Sequence, residues 1–215
     1  DHRDLHSFPT RRSSDLIEYL GHSCFYIQGK EKSVVTDPFA EIGYDLKRVS
    51  CDYCTISHEH YDHNNYLGVD AARVIKRSEN GFIAIDSYHD GMLGRLRGNN
   101  RIFKFSVDGV TFCHLGDLGE CFSQSLVEEI GETDVLFIPV GGTYTIDYME
   151  AIKFAKAINA KITVPMHYKT KNCNIDIDGV ENFLKRMPMV EKVGKTIELK
   201  RETLPDEPSV YYFGE

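Results

Sequence analysis

The chain has 215 residues, 41% of them apolar and 27% charged, with a formal net charge of −8. That length suits one well-cored domain and is short for two, and the acidic balance argues against nucleic acid as the main partner. No run of eighteen apolar residues occurs, so the sequence offers no membrane-spanning helix.

The first sixteen residues, DHRDLHSFPTRRSSDL, share no pattern with the rest of the chain and lack the apolar stretch of a signal peptide. A common sequencing-adapter DNA, read in one frame, encodes these residues in order. Residues 1–16 are therefore expected to be a non-native leader joined to a gene without its first codons, with a natural basic arm or transit peptide as the competing reading. His2, His6, Arg11 and Arg12 are set aside on that ground, and the functional domain is expected over 17–215.

From residue 17 the pattern is strand-rich. IEYLG and CFYIQG are short apolar runs ending in glycine, and KSVVTDP comes next. CDYCTIS is a buried-looking strand that leads directly into a histidine cluster. ARVIK, FIAID, RIFKFSV and GVTFCHLGD continue the series, and the alternation in RIFKFSV predicts a half-exposed strand. Helices then alternate with strands. Ser123 is placed as the cap of QSLVEEI, which Gly131 ends, and DVLFIPV is a strand. Thr145 is placed as the cap of IDYMEAIKFAKAI, with Met149, Ile152, Ala155 and Ile158 as its apolar face. After the strand KITVPMHY, Val180, Phe183, Leu184 and Met187 mark a third helix, and KTIELK and VYYFG close the chain as strands. The layout predicts sheets covered by helices in layers.

The stretch CTISHEHYDHNNYLG, residues 54–68, puts three histidines, a glutamate and an aspartate into positions 58–63. On a helix, His58 and His60 would point about 200° apart; in an extended segment they face the same way. They can therefore converge at the end of the CTIS strand, with Asp62 and His63 on the next turn. The helical zinc-protease spacing His-Glu-x-x-His is absent, because Asp62 stands four after His58. Imidazole suits zinc, iron and manganese, and a carboxylate hardens the site. His89, His114, Asp117 and His167 each follow or close a predicted strand, where sites in layered folds gather.

The intact His-x-His-x-Asp-His signature, with YLGHSCFYI, TDPF, HLGDLG, PVGGTYTID and PMHY, resembles the metallo-β-lactamase-fold metal-dependent hydrolases, near the small stand-alone ascorbate-phosphate lactonase type, over nearly all of 17–215. The resemblance implies an α/β (α+β) fold, a four-layer αββα sandwich with the site at one edge of the sheets. It implies that His58, His60 and His89 hold one divalent metal ion, that Asp62, His63 and His167 hold a second, and that Asp117 bridges them. Zn2+ is expected, with Mn2+ or Fe2+ as alternatives. Asp62 and Asp117 would carry the chemistry as ligands, and His114 would orient Asp117 or another ligand from behind. The implied activity is hydrolysis of a small ester, lactone or phosphoester substrate, an anionic one included, by hydroxide held between two metals. The competing readings are a phosphodiesterase or nuclease of the same superfamily and a non-catalytic metal-binding regulatory protein.

Several residues keep two readings. His22 could face the metals or be a hydrogen-bonded core histidine, and Asp37 could anchor the histidine loop or be a plain turn carboxylate. Arg95 and Arg97 could grip an anionic group, although a solvated loop is favoured. Tyr144, Tyr168 and Lys169 are read as surface packing, GGTYT as a strand-to-helix turn, and Cys51 and Cys54 as strand residues. The six scattered cysteines suit reduced thiols in a cytoplasmic protein, and a homo-oligomer is open.

Overall fold

The computed structural model describes residues 15–214. In its first half, short apolar runs separated by turns form β1 (Asp15–Gly21), β2 (Cys24–Gln28), β3 (Ser33–Thr36), β4 (Ser50–Thr55), β5 (Asp70–Ile75), β6 (Ile83–Tyr88), β7 (Asn99–Val107) and β8 (Val110–His114). The second half alternates α1 (Gln124–Ile130), β9 (Val135–Pro139), α2 (Tyr148–Ile158), β10 (Ile162–Met166) and α3 (Glu181–Leu184), then closes with β11 (Val190–Val193), β12 (Thr196–Leu199) and β13 (Ser209–Phe213). They build a six-stranded sheet in the order β12-β1-β2-β3-β4-β5 and a seven-stranded sheet in the order β11-β13-β10-β9-β8-β7-β6.

The inner faces of the two sheets meet over Phe25, Ile27 and Val34 from one side and Phe103, Phe105, Phe112, Phe137 and Phe213 from the other, all buried. The Phe25 and Phe137 rings lie 4.3 Å apart across that interface. The mixed α/β sandwich expected from the sequence is the one observed, and its outer layers are unequal. The seven-stranded sheet is covered by α1, α2 and α3 through Leu126, Ile130, Phe154 and Phe183. The six-stranded sheet is covered by chain without α-helix, where Phe39, Ile42 and Val69 pack on Cys24, Val35, Cys51 and Cys54.

Local expectations hold unevenly. Ser123 does cap α1, its hydroxyl accepting from the Leu126 N–H, and Gly131 ends the helix at φ 62°. The cap of α2 is Asp147 and not Thr145: its carboxylate accepts from the N–H groups of Met149 and Glu150. The buried face of α2 is accordingly Ala151, Phe154 and Ala155, while Met149 is 53% exposed. The third helix shrinks to one turn, and the edge strand β11, absent from the sequence reading, comes after it. In β7, Phe103, Phe105 and Val107 are buried between the sheets while Lys104 and Ser106 face outward, the half-exposed alternation expected; within RIFKFSV only Ile102 on that outer face is covered, by the helices. Of the leader expected over 1–16, residues 1–14 lie outside the described residues; Asp15 and Leu16 are the first two positions of β1, paired with Leu199 and Glu198.

Parallel pairing fixes the place of the site. β3 and β4 run parallel in one sheet, and β8, β9 and β10 in the other. The segments leaving these strands all emerge at the same edge, which is where His58–His63, Asp117, Tyr144 and His167 stand.

Candidate metal centre

β4 ends at Thr55, and the chain bends from Ser57 through His60 before turning. The His60 carbonyl accepts from the N–H groups of both His63 (2.9 Å) and Asn64 (3.0 Å), one tight turn that brings His63 back beneath His58. The His58 and His60 rings converge as expected, 4.7 Å apart and nearly perpendicular, although a bend and not an extended segment brings them together. His89 caps the end of β6, its ring 4.7 Å from His58 and 5.0 Å from His60. Only 25 residues separate it from His63, and that suffices because β5 and β6 span the gap with no α-helix between them.

Asp117 lies at the middle. Its carboxylate is 3.1 Å from His63 Nε2, 3.2 Å from His89 Nε2, 3.3 Å from His167 Nε2 and 3.7 Å from His58 Nε2. The turn carrying it is built by Asn100, whose side-chain oxygen accepts the Asp117 N–H at 2.9 Å. Gly116 is required there: its φ is +57°, and a Cβ would stand 2.4 Å from Asn100 Oδ1 and 2.7 Å from the Ser57 Cβ. Asp62 completes the group, 3.5 Å from His63 Nε2 and 3.5 Å from His22 Nε2.

The ring nitrogens are oriented from behind. Asp37 Oδ2 receives His63 Nδ1–H at 2.9 Å and the Ser57 hydroxyl, and Oδ1 receives the Ser57 N–H at 2.9 Å. Because Ser57 spends its proton on Asp37, its oxygen accepts from His58 Nδ1–H at 2.9 Å. One carboxylate thus fixes two tautomers and turns both Nε2 lone pairs toward Asp117. The Tyr144 carbonyl does the same for His89, 3.0 Å from its Nδ1.

Do these residues suit a cation? The nitrogens and oxygens that converge here have no hydrogen-bond partner although they are buried: His58 Nε2, His63 Nε2, Asp117 Oδ1, and both nitrogens of His22 and His167. Orphaned buried polar atoms are costly and rare in a folded protein. Ligand-type atoms cluster here in three overlapping groups, each within 4.8 Å: His58–His60–His89, His22–Asp62–His63–His167, and Asp37–His58–His63, the last lying behind the centre. Burial and the neighbouring His63 hold His58 down to about 3, and burial with His167 beside it holds His22 at about 4, so both rings are neutral and present lone pairs. Burial alone would raise the Asp117 carboxyl, but His167 and His63 outweigh it and hold the group well below its ordinary range. Burial opposes charge on His63 too, and the negative field of Asp117 and Asp62 overrides it. His89 is raised likewise, burial being outweighed by Asp117, so His63 and His89 favour the protonated form and a cation would displace that proton. Imidazoles around ionised carboxylates are the donor set of a divalent transition-metal site.

The remaining candidates separate cleanly. His114 stays off the centre: its Nε2 bonds the Ser23 carbonyl at 2.9 Å, and its Nδ1 accepts the Gly116 N–H at 3.2 Å. It braces the turn that bears Asp117 without touching Asp117 or any ring of the cluster. Tyr168 departs from the surface reading, being buried in the core with its hydroxyl donating to the Phe213 carbonyl, and Lys169 donates to the Ile175 carbonyl at the surface. Tyr144 and Arg97 depart from the surface reading. They line a cleft of about 500 Å³ over the centre, together with His60, Tyr61, Asp62, His89, Asp117 and Asn174 to Asp176. The Arg97 guanidinium sits 5.4 Å over the Tyr144 ring. The sequence had no signal for the Tyr144 carbonyl, since backbone acceptors carry no residue identity, nor for 174–176, which join the cleft only through the tertiary fold.

Residues 16–167 match the family model described as the beta-lactamase superfamily domain. A Staphylothermus marinus protein named UPF0173 metal-dependent hydrolase is 31% identical over 192 residues, covering 72% of this chain and 84% of its own. One of the same name from Methanospirillum hungatei is 30% identical, covering 72% and 83%. Among solved structures, a proposed Zn-dependent hydrolase of the metallo-β-lactamase superfamily from Thermotoga maritima superposes with a TM-score of 0.77 at 39% identity, covering 93% of this chain and 98% of its own. Matching family model, relatives and fold together, the chain belongs to the metallo-β-lactamase superfamily, among its metal-dependent hydrolases.

Proposed function

We propose that the chain hydrolyses a small ester, lactone or phosphoester with two divalent cations, one held by His58, His60 and His89, the other by Asp62, His63 and His167, with Asp117 shared between them. The observation that carries this reading is the position of Asp117, within 3.7 Å of four Nε2 atoms that belong to both groups. Zn2+ is the favoured metal, and the donor set also accepts Mn2+ or Fe2+. A pair of such ions lowers the pKa of bound water toward neutrality and polarises the oxygen of the bond to be cleaved.

The chain's own groups prepare that chemistry. Asp37 and the Tyr144 carbonyl hold three imidazoles in the tautomer that keeps Nε2 free. His60, largely exposed, and His89 face the cleft, so the substrate approaches on their side. Arg97 projects over the same cleft with no carboxylate in ion-pair range among the described residues, a fitting partner for an anionic group on the substrate. The six unpaired thiols agree with a reducing, cytoplasmic setting.

The test is stripping with a chelator, reconstitution with Zn2+, Mn2+ or Fe2+ separately, and assay against neutral and anionic esters, lactones, bis-aryl phosphodiesters and labelled RNA. Metal-dependent turnover of an ester, lactone or small phosphoester supports the proposal. RNA as the preferred substrate would move the chain to the nucleases, and metal binding without turnover on any of them to the regulatory proteins.

A further inference from the structure

His22 lies outside the ligand set that the signature implies, yet it stands inside the centre. It occupies the turn between β1 and β2 and is 0% exposed, with neither ring nitrogen hydrogen-bonded. Its Nε2 is 3.5 Å from Asp62 Oδ2, and its ring centre lies 4.2 Å from that of His167 and 5.2 Å from that of His63, tilted to both. His22 O accepts the His167 N–H at 3.2 Å, which ties the two rings into one frame. Both residues hold left-handed backbones, φ 54° at His22 and 51° at His167. Such strain is kept where the surrounding structure has a use for it.

The distance decides between two roles. A direct N–H···O bond spans about 2.7–3.2 Å, and 3.5 Å is outside it. Two donors bound about 2.1 Å from one tetrahedral ion lie about 3.4 Å apart, the edge of the tetrahedron. The His22–Asp62 and His63–Asp62 separations are both 3.5 Å, so His22 bears the same relation to Asp62 that His63 does.

We propose that His22 is a further protein donor to the Asp62–His63–His167 position, which with the shared Asp117 then has five protein donors against four at the His58–His60–His89 position, the one left open to water and substrate. This rests on the metallohydrolase reading above. Burial supports the division: His22, His63 and His167 are at most 1% exposed, whereas His60 is open to the cleft. A position saturated with protein donors holds its metal the more firmly, and one with fewer keeps room for water and substrate. The two positions therefore differ in affinity, the filled one being tight and the open one exchangeable.

The test is Zn2+ binding to the whole chain by competition with a chromophoric chelator, with zinc-edge X-ray absorption at one equivalent to count imidazole ligands. His22→Asn and His22→Gly are the variants, because both residues tolerate φ near +54°, and melting without metal checks that they fold. The parent is expected to show a tight and a weaker class. Either variant is expected to loosen the tight class by at least about tenfold, the scale seen for losing even an outer partner of a ligand, and to lose one imidazole from the absorption fit. His60→Gln is expected to loosen the weaker class only. Unchanged tight affinity or an unchanged imidazole count in folded variants overturns the role of His22. A parent that binds no zinc overturns the metallohydrolase reading itself, and this inference with it.

Discussion

Asp37 sits behind the centre, where its carboxylate reaches the far nitrogen of His63 and, through Ser57, that of His58. Its own protonation is held below the ordinary range: burial would raise it, but the hydrogen bond from His63 and the nearby His114 prevail. Asp37→Ala frees both rings to rotate and to change tautomer, so zinc affinity is expected to fall about 10–100-fold by competition titration, the usual loss for an outer partner of a metal histidine. An unchanged affinity would show that the rings are held by packing alone. Arg97 acts at the other face. Arg97→Glu is expected to raise the Michaelis constant of an anionic ester at least about tenfold, the worth of one charged hydrogen bond, and to leave that of a neutral ester nearly unchanged. Equal effects on both would assign Arg97 to the loop and not to the substrate. The dense His58–His63 segment was legible because side-chain identities alone specify it. Arg97 was not, because its direction is set by Asp90, whose carboxylate accepts the backbone N–H groups of Met92, Gly94, Leu96 and Arg97 and folds that loop toward the cleft.

Two elements show how local signals decide structure. In TIDYMEAI both Thr145 and Asp147 can cap a helix, and the structure uses Asp147 because Ile146 is buried and bonded as extended chain, its N–H on the Leu118 carbonyl at 2.8 Å. Asp147→Ala is expected to destabilise the protein by about 1 kcal/mol in denaturant unfolding, whereas Thr145→Ala is expected to be nearly neutral; the reverse order would restore Thr145 as the cap. β1 begins with the opposite case, a local group in conflict with its place. Asp15 is 2% exposed, and burial together with the neighbouring Asp108 raises its carboxyl to about 7. An acid raised in the folded state binds a proton that the unfolded chain has released, so stability declines as pH climbs from about 4 to about 7 and is flat above. Asp15→Asn removes that decline. The variant is expected to match the parent near pH 4 and to exceed it by about 1 kcal/mol at about pH 8, after allowance for screening by solvent and Lys30. Parallel stability curves for the two proteins would contradict it.

At the level of the whole molecule, the two sheets serve to bring distant strand ends to one edge. His58 follows β4, Asp117 follows β8 and His167 follows β10; pairing through β9 sets the last two side by side, and the packing of the two sheets, Phe25 against Phe137 among others, brings the first to meet them. The layered α/β class was readable from the alternation of runs and turns together with the signature. The sheet order was not, since β11-β13-β10-β9 depends on parallel pairings between segments far apart in sequence. β11 escaped notice because VEKV is a four-residue edge strand whose residues are mostly exposed, which leaves no buried period to detect. The inward rotation of His22 was equally invisible, as it rests on a left-handed turn and a contact across both sheets. The most direct measurement is zinc-edge anomalous diffraction from crystals of the zinc-loaded chain. The account predicts two peaks about 3.5–4 Å apart on either side of Asp117, one beside His58, His60 and His89 and the other beside Asp62, His63 and His167. An intact fold with no anomalous density around Asp117 would contradict it.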